Sequence, residues 1–248
     1  MVKRLFDVVA SVAVLLLASP ILGPAMVLVW LQDRHSPFYV ANRVGLDGRE
    51  FRMVKLRSMV VNADKSGVDS TKASDGRITP VGHFIRRFKL DELTQLVNVF
   101  LGDMSMVGPR PNVKRETELY TPEEARLLTV APGVTDYASI VFADEGEVLD
   151  GQSDPDIAYN QLIRPGKSLL GLFYVDKRSL GVDVLLCLLT ALAIVSRPRA
   201  LKGVQRLLAS QGAGKGLIEL AGRSDPLVPS VPPGGNKIVT SRDGNPFV

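Results

Sequence analysis

The chain opens with an apolar run over residues 8–31 that contains no charged side chain. As one continuous helix this run would extend roughly 36 Å, at about 1.5 Å per residue, which is enough to cross a bilayer. Pro20 and Pro24 lie near its middle, where each removes a backbone donor and disfavours a straight helix. The hydroxyl of Ser19 is placed to satisfy part of the backbone that the prolines leave unpaired. The pattern therefore predicts a membrane-embedded helix with a break at Ser19 and Pro20.

Three interpretations of this run are open. A cleaved signal peptide is disfavoured, because the run continues to Trp30 and the small-residue site at Ala18-Ser19 is followed by Pro20. A single crossing and a re-entrant hairpin, which enters and leaves on one face, both fit the length. Basic residues flank the run on both sides, at Lys3, Arg4, Arg34 and Arg43. Because positive flanks favour the cytoplasmic side, the re-entrant hairpin is the preferred interpretation.

After residue 32 the pattern changes to that of a folded polar body. Residues 50–57 alternate apolar and charged side chains with a period of two, and residues 37–40 form a second candidate strand. Asp47-Gly48 between them is a turn signal, so a small β-hairpin is predicted. Residues 62–75 are polar and contain glycine and serine, which predicts a mobile loop.

A helical repeat follows, with apolar side chains at Leu90, Leu93, Leu96, Val97, Phe100 and Leu101. It predicts a helix that begins near Leu90 and ends at Gly102. Asp91 and Glu92 then lie in the first turn, where free backbone N–H groups and the helix dipole favour ionised carboxylates. Simple capping of the helix is the alternative explanation for two acids at this position.

The C-terminal half carries weaker patterns. Residues 132–139 predict a turn leading into a short strand or loop, and residues 144–156 predict an exposed acidic turn region. The apolar run 182–195 is too short for a full crossing, which predicts a core helix or one lying in the membrane interface. Residues 200–221 predict a basic, weakly amphipathic helix, and residues 225–248 predict a flexible tail that could order against a partner subunit.

Together these elements predict an α+β fold that is mainly helical, with a re-entrant membrane hairpin, a small β-hairpin and interfacial amphipathic helices around the site. We expect a membrane hairpin at residues 1–36 and a cytoplasmic catalytic domain at residues 37–198. A C-terminal extension at residues 199–248 should be helical at first and flexible afterwards.

Composition narrows the class of partner. The formal net charge of +4 suits phospholipid headgroups, nucleotide phosphates or nucleic acid. Nucleic acid is disfavoured, because no finger, recognition-helix or aromatic-interleaved basic motif is present. The single cysteine, Cys187, excludes an internal disulfide and a multi-thiol metal site. With only His35 and His83 in the chain, any metal should be held by oxygen atoms.

Six basic residues accompany the acid pair, namely Lys55, Arg57, Arg86, Arg87, Lys89 and Arg110. That many cations around two acids suits a polyanion that binds between them. Mg²⁺ is typically held by one or two carboxylates together with substrate phosphates, so Asp91 and Glu92 need no further protein ligand. Arg110 stands between two prolines that pre-orient it. The sequence therefore predicts a site for phosphate and Mg²⁺.

The chain from about Lys3 to Pro198 resembles the bacterial sugar transferases, the monotopic phosphoglycosyl transferases that start glycan assembly on a polyprenyl phosphate. The order and spacing of separate blocks carry the resemblance: Lys3-Arg4-Leu5-Phe6-Asp7, Ser19-Pro20, Arg43-Val44-Gly45, Lys55-Leu56-Arg57-Ser58-Met59, Asp91-Glu92-Leu93 with Gln95 and Asn98, Gly102-Asp103-Met104-Ser105, and Val107-Gly108-Pro109-Arg110-Pro111. Leu56 stands where the family usually has phenylalanine. Residues 132–139 also depart from the commoner stretch, so the resemblance does not extend to sugar specificity.

The resemblance implies that the hairpin at Ser19-Pro20 seats the enzyme in one leaflet of the bacterial inner membrane, with the catalytic domain on the cytoplasmic face. It also implies that Asp91 is the nucleophile and Glu92 its partner, with Mg²⁺ on the diphosphate of a UDP-sugar. Asp91 would attack the phosphate that bears the sugar, expel UMP and pass the phosphosugar to undecaprenyl phosphate. The expected phosphate or nucleotide contacts are Lys55, Arg57, Arg86, Arg87 and Arg110.

Two other functions remain open from the residues alone. One is a metal-dependent hydrolase of lipid diphosphates, which the acid pair and its cations would also suit. The other is a catalytically silent membrane scaffold that recruits later glycan enzymes. A homodimer is compatible with either function and with the transferase.

Overall fold

The computed structural model describes residues 2–66 and 70–241. Part of the predicted loop 62–75 and the end of the predicted tail, residues 242–248, therefore lie outside the described residues. The described chain is mainly helical, with one small antiparallel hairpin and one short parallel strand pair. This confirms the mainly helical α+β prediction.

The elements run in the following order. The helices are α1 (Val2–Asp33), α2 (Pro80–Arg87), α3 (Leu90–Leu93), α4 (Leu96–Leu101), α5 (Lys114–Thr117), α6 (Tyr137–Val141), α7 (Glu145–Leu149), α8 (Pro155–Ala158), α9 (Arg164–Lys177), α10 (Leu180–Val195), α11 (Arg197–Ser210) and α12 (Lys215–Gly222). The strands are β1 (Phe38–Val44), β2 (Glu50–Leu56), β3 (Ser105–Val107) and β4 (Gly133–Thr135). A π-helical turn, Tyr159–Ile163, joins α8 to α9.

The apolar run forms one helix, α1, that continues through both prolines. Pro20 has no N–H to donate to the carbonyl of Leu16, four residues earlier. The Ser19 hydroxyl donates to that carbonyl instead, at 2.8 Å. Helical structure therefore continues where the sequence predicted a break, because a side chain replaces the missing backbone donor.

The N-terminal end of α1 is anchored to the folded body by polar contacts. Lys3 Nζ donates to Asp183 Oδ2 in α10 at 2.6 Å. The buried carboxylate of Asp7 accepts hydrogen bonds from the Ser105 hydroxyl and from the backbone N–H of Met106, each at 3.0 Å. The start of α1 is thereby fixed to β3.

The C-terminal end of α1 is anchored to the same body. Ala25 and Val29 pack in a buried cluster with Leu56, Ile85 and Leu90. The middle of the helix has no such cover, and its exposed apolar side chains there include Leu16, Leu17 and Ile21. By length and composition α1 is able to cross a membrane.

The predicted β-hairpin is confirmed, and β1 extends further than residues 37–40. β1 and β2 pair antiparallel from Phe38 opposite Leu56 to Val44 opposite Glu50. The connecting turn places Asp47 at φ 55° and Gly48 at φ 75°. Both are left-handed conformations, which glycine and aspartate adopt more readily than other residues.

The helix predicted over residues 90–102 is instead two short helices, α3 and α4, separated at Thr94 and Gln95. The Thr94 hydroxyl donates to the carbonyl of Val54 in β2 at 3.1 Å. The Asn98 side chain accepts from the N–H of Val54 at 3.0 Å. These contacts satisfy the open edge of β2 and draw the segment out of a regular helix. The predicted end is confirmed, because Gly102 caps α4 with φ 103°.

The short parallel pair β3–β4 requires two glycines. A Cβ on Gly133 would lie 2.0 Å from the backbone nitrogen of Gly108, so no larger residue fits there without displacement of the backbone. This close approach fixes the start of the segment that carries Arg110. Asp136, directly after β4, caps α6 by accepting from the backbone N–H of Ser139 at 2.6 Å.

For residues 182–195 the sequence predicted either a core helix or a helix in the membrane interface, and the structure of α10 bears on that choice. Val182 and Leu186 are buried in the main core, whereas Leu188 and Val195 on the same helix are 62% and 85% exposed. One face of α10 is therefore a core face, and the other presents apolar side chains outward. This division fits a helix at an interface better than a fully buried one.

The single helix predicted over residues 200–221 is two helices, α11 and α12, because Gly212 adopts φ 77° between them. Ala200, Val204 and Leu208 lie in the main hydrophobic core, together with Met53 of β2 and Leu96 of α4. Part of the tail packs against the folded body. Gln161 Nε2 donates to the carbonyl of Val239 at 2.7 Å, and Val239 is buried.

Candidate active site

The acid pair lies in α3, directly after Lys89, whose backbone is left-handed at φ 55°. Glu92 Oε1 is 2.9 Å from an Arg110 guanidinium nitrogen. Asp91 Oδ1 is buried and forms no hydrogen bond with any described residue. The two neighbouring carboxylates therefore differ, since one is fixed in an ion pair and the other has a free oxygen atom.

The electrostatics of Glu92 keep it ionised. Burial by itself raises the pKa of Glu92, but the positive charges of Arg110 and Lys89 outweigh burial and lower the pKa to about 2. The same pairing raises the pKa of Arg110. Glu92 and Arg110 thus form a permanent ion pair beside Asp91.

The pKa of Asp91 shifts in the opposite direction to that of Glu92. Burial raises the pKa of the Asp91 carboxyl above its usual value, and the negative charge of Glu92 raises it further. Lys55 and Arg86 oppose this rise. The ionised form of Asp91 is therefore less stabilised than that of Glu92. Nearby cations favour its charge, but among the described residues none of them forms a direct ion pair with it.

Lys55, in β2, supplies a partly desolvated ammonium group. Burial, followed by repulsion from Arg110, lowers the pKa of Lys55 to about 8, although Asp91 and Glu92 act in the other direction. A lysine without a tight carboxylate partner in such surroundings gains most from an added anion. Lys55 is accordingly well suited to contact a phosphate.

The structure brings some of the predicted phosphate contacts to the acid pair and places others elsewhere. Lys55, Arg86 and Arg110 lie near the acids. Arg57 does not join them, because its guanidinium binds Asp33 at 2.5 and 2.7 Å and the carbonyl of Ser36 at 2.9 Å. Arg87 is exposed, with its guanidinium 5.7 Å from the centroid of the ring of Phe88.

Sequence reasoning missed a small cavity next to Arg110, lined by both apolar and polar residues. Besides Arg110, the side chains lining it that bear polar groups include Asn112, Tyr120, Asp136, Tyr159 and Lys167. The Lys167 ammonium is paired with Glu145, from the acidic region that the sequence predicted to be exposed. Glu145 and the preceding Asp144 are only partly exposed. The region 144–156, which the sequence predicted to be a surface turn, therefore contacts a residue that lines the cavity.

The acid pair is the candidate metal site that the sequence predicted. Within residues 2–66 and 70–241, no three His, Cys, Asp or Glu side chains come together as a metal site. Asp91 and Glu92 alone match a cation whose remaining ligands are substrate phosphates and water, as is usual for Mg²⁺. The free Asp91 Oδ1 is the atom most available for such a role.

The model of the bacterial sugar transferase family matches residues 1–197 of this sequence. The chain belongs to that family. The resemblance seen in its motifs is thereby confirmed, and the acid pair, Lys55 and Arg110 all fall within the matched residues. Helix α12 and the docked tail lie beyond them.

Three curated relatives illustrate the similarity of this sugar transferase to known proteins. A putative undecaprenyl-phosphate N-acetylgalactosaminyl 1-phosphate transferase of Bacillus subtilis is 41% identical over 49% of the chain and 68% of the relative. A second Bacillus subtilis protein, the uncharacterized sugar transferase EpsL, is 34% identical over 78% of the chain and 88% of its own length. A UDP-N-acetylgalactosamine-undecaprenyl-phosphate N-acetylgalactosaminephosphotransferase of Aeromonas hydrophila is 30% identical over 79% of the chain, but only 44% of that relative is covered.

Proposed function

We propose that this bacterial sugar transferase moves a phosphosugar from a UDP-sugar to a polyprenyl phosphate through a covalent bond to Asp91. The names of the relatives support this class of donor and acceptor. The observation that carries the residue assignment is the buried, unpaired Oδ1 of Asp91 next to a Glu92 that Arg110 already engages. A nucleophile needs an accessible lone pair, and Asp91 Oδ1 forms no hydrogen bond within the described chain, whereas an oxygen of Glu92 is held by Arg110.

The proposed reaction has two steps. In the first, a carboxylate oxygen of Asp91 attacks the phosphorus that bears the sugar, and the bond to the bridging oxygen of the diphosphate breaks. UMP leaves with that oxygen, and Asp91 becomes an acyl phosphate that carries the sugar. In the second, an oxygen of the polyprenyl phosphate attacks the same phosphorus, which breaks the bond to Asp91 and restores the carboxylate. Two bulky substrates can thus use one site in turn.

Fixed positive charge makes the first step feasible. An anionic nucleophile must approach an anionic diphosphate, so the repulsion has to be screened in a partly desolvated site. Lys55, Arg86 and Arg110 are the proposed phosphate contacts, since these three lie at the acid pair. Arg57 is assigned to anchoring α1, because its donors are committed to Asp33 and backbone carbonyls.

Mg²⁺ is the proposed cofactor, with Asp91 and Glu92 as its protein ligands. The cation would neutralise charge on the diphosphate and on the leaving UMP. The fit rests on the two adjacent carboxylates and on the unpaired Asp91 Oδ1. The protein's own cations then orient the diphosphate, while the ion pair with Arg110 holds Glu92 in place.

We further propose that α1 is re-entrant and that the body lies on the cytoplasmic face of the bacterial inner membrane. Both ends of α1 bind the same body, through Asp7 at one end and Asp33 at the other. The exposed apolar residues lie between these anchors, around Leu16 and Leu17. A helix that crossed the bilayer would carry one set of anchors to the opposite side, away from its partners. The outward apolar face of α10 would rest among phospholipids beside it.

Topology is tested with single cysteines at Val2 and Ser36 in a background where Cys187 is replaced by serine. In intact inverted and right-side-out vesicles, both positions should react with a membrane-impermeant maleimide only from the cytoplasmic side. Opposite accessibility of the two positions would establish a single crossing and refute the re-entrant helix.

The activity is tested with purified protein, a panel of UDP-sugars, polyprenyl phosphate and Mg²⁺. We expect UMP release and, without acceptor, a phosphosugar adduct that maps to Asp91. Asp91→Asn should remove both, lowering turnover by roughly a thousandfold or more. Asp47→Asn is the matched control, because Asp47 is exposed in the hairpin turn and asparagine tolerates its left-handed backbone.

Other outcomes separate the alternatives. Free sugar phosphate released in the absence of acceptor would favour the metal-dependent hydrolase instead. No UMP from any donor would favour the scaffold. An adduct that persists in Asp91→Asn would show that another side chain is the nucleophile.

A further inference from the structure

The C-terminal extension, residues 199–241, contacts the segment behind the cavity wall through Arg223. A guanidinium nitrogen of Arg223 lies 2.9 Å from Asp144 Oδ2, and the guanidinium carbon is 5.3 Å from the ring centroid of Phe142. The Arg223 side chain is only 8% exposed although it ends a surface helix. Arg197 binds the other oxygen of Asp144, at 2.8 Å. Two arginines therefore fix this one carboxylate.

Asp144 is directly coupled to the cavity by its neighbour in the chain. Glu145 forms the ion pair with Lys167, and the Lys167 ammonium lies 5.2 Å from the centroid of the Tyr159 ring. Lys167 and Tyr159 both line the cavity beside Arg110. A shift of Asp144 would move Glu145 and hence the position of Lys167.

The tail of the extension contacts two more parts of the same wall. The Thr121 hydroxyl donates to the carbonyl of Pro233, and Thr121 follows the cavity residue Tyr120. Gln161, which donates to Val239, lies in the same π-helical turn as Tyr159. The extension thus braces the wall at three separate places, each within two residues of a side chain that faces the cavity or its ion pair.

The position of the cavity indicates what it receives. Arg110 belongs both to the cavity and to the ion pair with Glu92, next to the proposed nucleophile Asp91. The phosphate that is attacked bears the sugar, so a sugar attached to it would lie within reach of Arg110 and of the cavity. The hydroxyl, amide, carboxyl and ammonium groups in the lining can bond to the hydroxyls of a hexose, and the apolar residues of the lining can pack against its C–H faces.

We propose that Arg223 is a positioning residue that, through Asp144 and Glu145, sets the shape of a sugar-binding cavity for the donor. This proposal rests on the proposed transferase function and extends it to residues beyond the matched family region. It makes the extension a determinant of donor affinity and sugar preference, with no part in the chemistry at Asp91.

The test is steady-state UMP release by full-length Arg223→Gln with several UDP-sugars. We expect a roughly tenfold higher KM for the preferred donor and a similar loss of preference over the next one, because small displacements of positioning groups have effects of this size or larger. The kcat should change far less, and the inhibition constant of UDP should stay unchanged. Arg206→Gln, an exposed arginine of the same extension, is the matched control and should behave as wild type.

Further variants decide whether the effect passes through Asp144. Asp144→Asn should reproduce the change, and the double variant should be no worse than either single one. Arg223→Lys should recover part of the donor affinity, and it serves as the readout if Arg223→Gln does not fold. An unchanged KM, or additive effects in the double variant, would overturn the proposal. An equal rise in the inhibition constant of UDP would overturn the sugar assignment, because the cavity would then hold the nucleoside.

Failure of the transferase function is distinguishable from failure of this inference. If wild-type protein released no UMP from any donor, the proposed function would fall. Hydrogen exchange over residues 142–163 would still test whether the C-terminal extension stabilises the cavity wall. Faster exchange is expected in Arg223→Gln than in Arg206→Gln. Equal exchange in the two variants would refute it whatever the activity.

Discussion

Lys55 offers a direct test of the electrostatics of the site. Its pKa lies near 8 because burial and Arg110 disfavour the charged ammonium. A fall from 10.5 to about 8 corresponds to about 3 kcal/mol of lost preference for the charged form. The lysine loses its charge as the pH rises through the pKa. At one pH unit above the pKa, roughly a tenth of the Lys55 side chains are still protonated.

The kinetic consequence appears in kcat/KM, which reports the ionisation of free enzyme. We expect kcat/KM for the UDP-sugar to fall about tenfold per pH unit above roughly pH 8, provided that Lys55 binds the donor phosphate. In the pH profile of kcat the same decrease, here called the alkaline limb, should begin at higher pH, because bound diphosphate stabilises the ammonium form of Lys55. Initial rates of UMP release between about pH 6 and pH 10, at fixed Mg²⁺ and saturating acceptor, give both profiles.

Substitution identifies the titrating group. Lys55→Arg keeps its charge throughout this range, so the alkaline limb should vanish even if the absolute rate drops. Lys202→Arg, at an exposed position of α11, should retain the wild-type limb. A limb that persists in Lys55→Arg would refute the reasoning, because another group would then be losing its proton. A flat wild-type profile would show that Lys55 does not contact the donor phosphate.

Two stability predictions follow from the packing. Gly133→Ala should lower the melting temperature sharply, by the equivalent of about 3 kcal/mol, because its Cβ would lie 2.0 Å from the nitrogen of Gly108; Gly76→Ala, where nothing lies within 4 Å, should leave melting unchanged. Arg57→Met should lower the melting temperature in detergent, since it leaves Asp33 without its ion-pair partner and removes the guanidinium that ties the end of α1 to β2. Unaltered melting in either variant would contradict the geometry described above.

Local patterns in the sequence were enough to predict the parts of the site that depend on neighbouring residues. The hairpin was predictable because period-two alternation and Asp47-Gly48 are short-range signals. The end of the key helix was predictable because Gly102 favours the left-handed cap. The grouping of the acid pair with Arg110 was predictable because clustered charges of one sign repel each other unless groups of opposite charge bind between them. Their mutual approach is confirmed by the Glu92–Arg110 pair.

Long-range pairing explains what the sequence did not reveal. Arg57 looks like any other cation beside the site, and only the docking of α1 shows that Asp33 takes it. The break in the predicted 90–102 helix likewise depends on β2, whose free edge attracts Thr94. The acidic region was predicted to be exposed, because the partners of Asp144 come from residues more than fifty positions away. Composition carries no information about such partners.

The end of β2 connects the acid pair to the long apolar helix α1. Lys55 faces the acid pair, Leu56 lies in the buried cluster, and Arg57 binds the end of α1. Leu90, directly before Asp91, belongs to the same cluster. Because packed cores transmit displacement, a change in the position of α1 should move the proposed nucleophile Asp91 and Lys55 together. Under the proposed function, this packing would fix the distance between the acid pair and the membrane, which a reaction between a soluble donor and a membrane-bound acceptor requires.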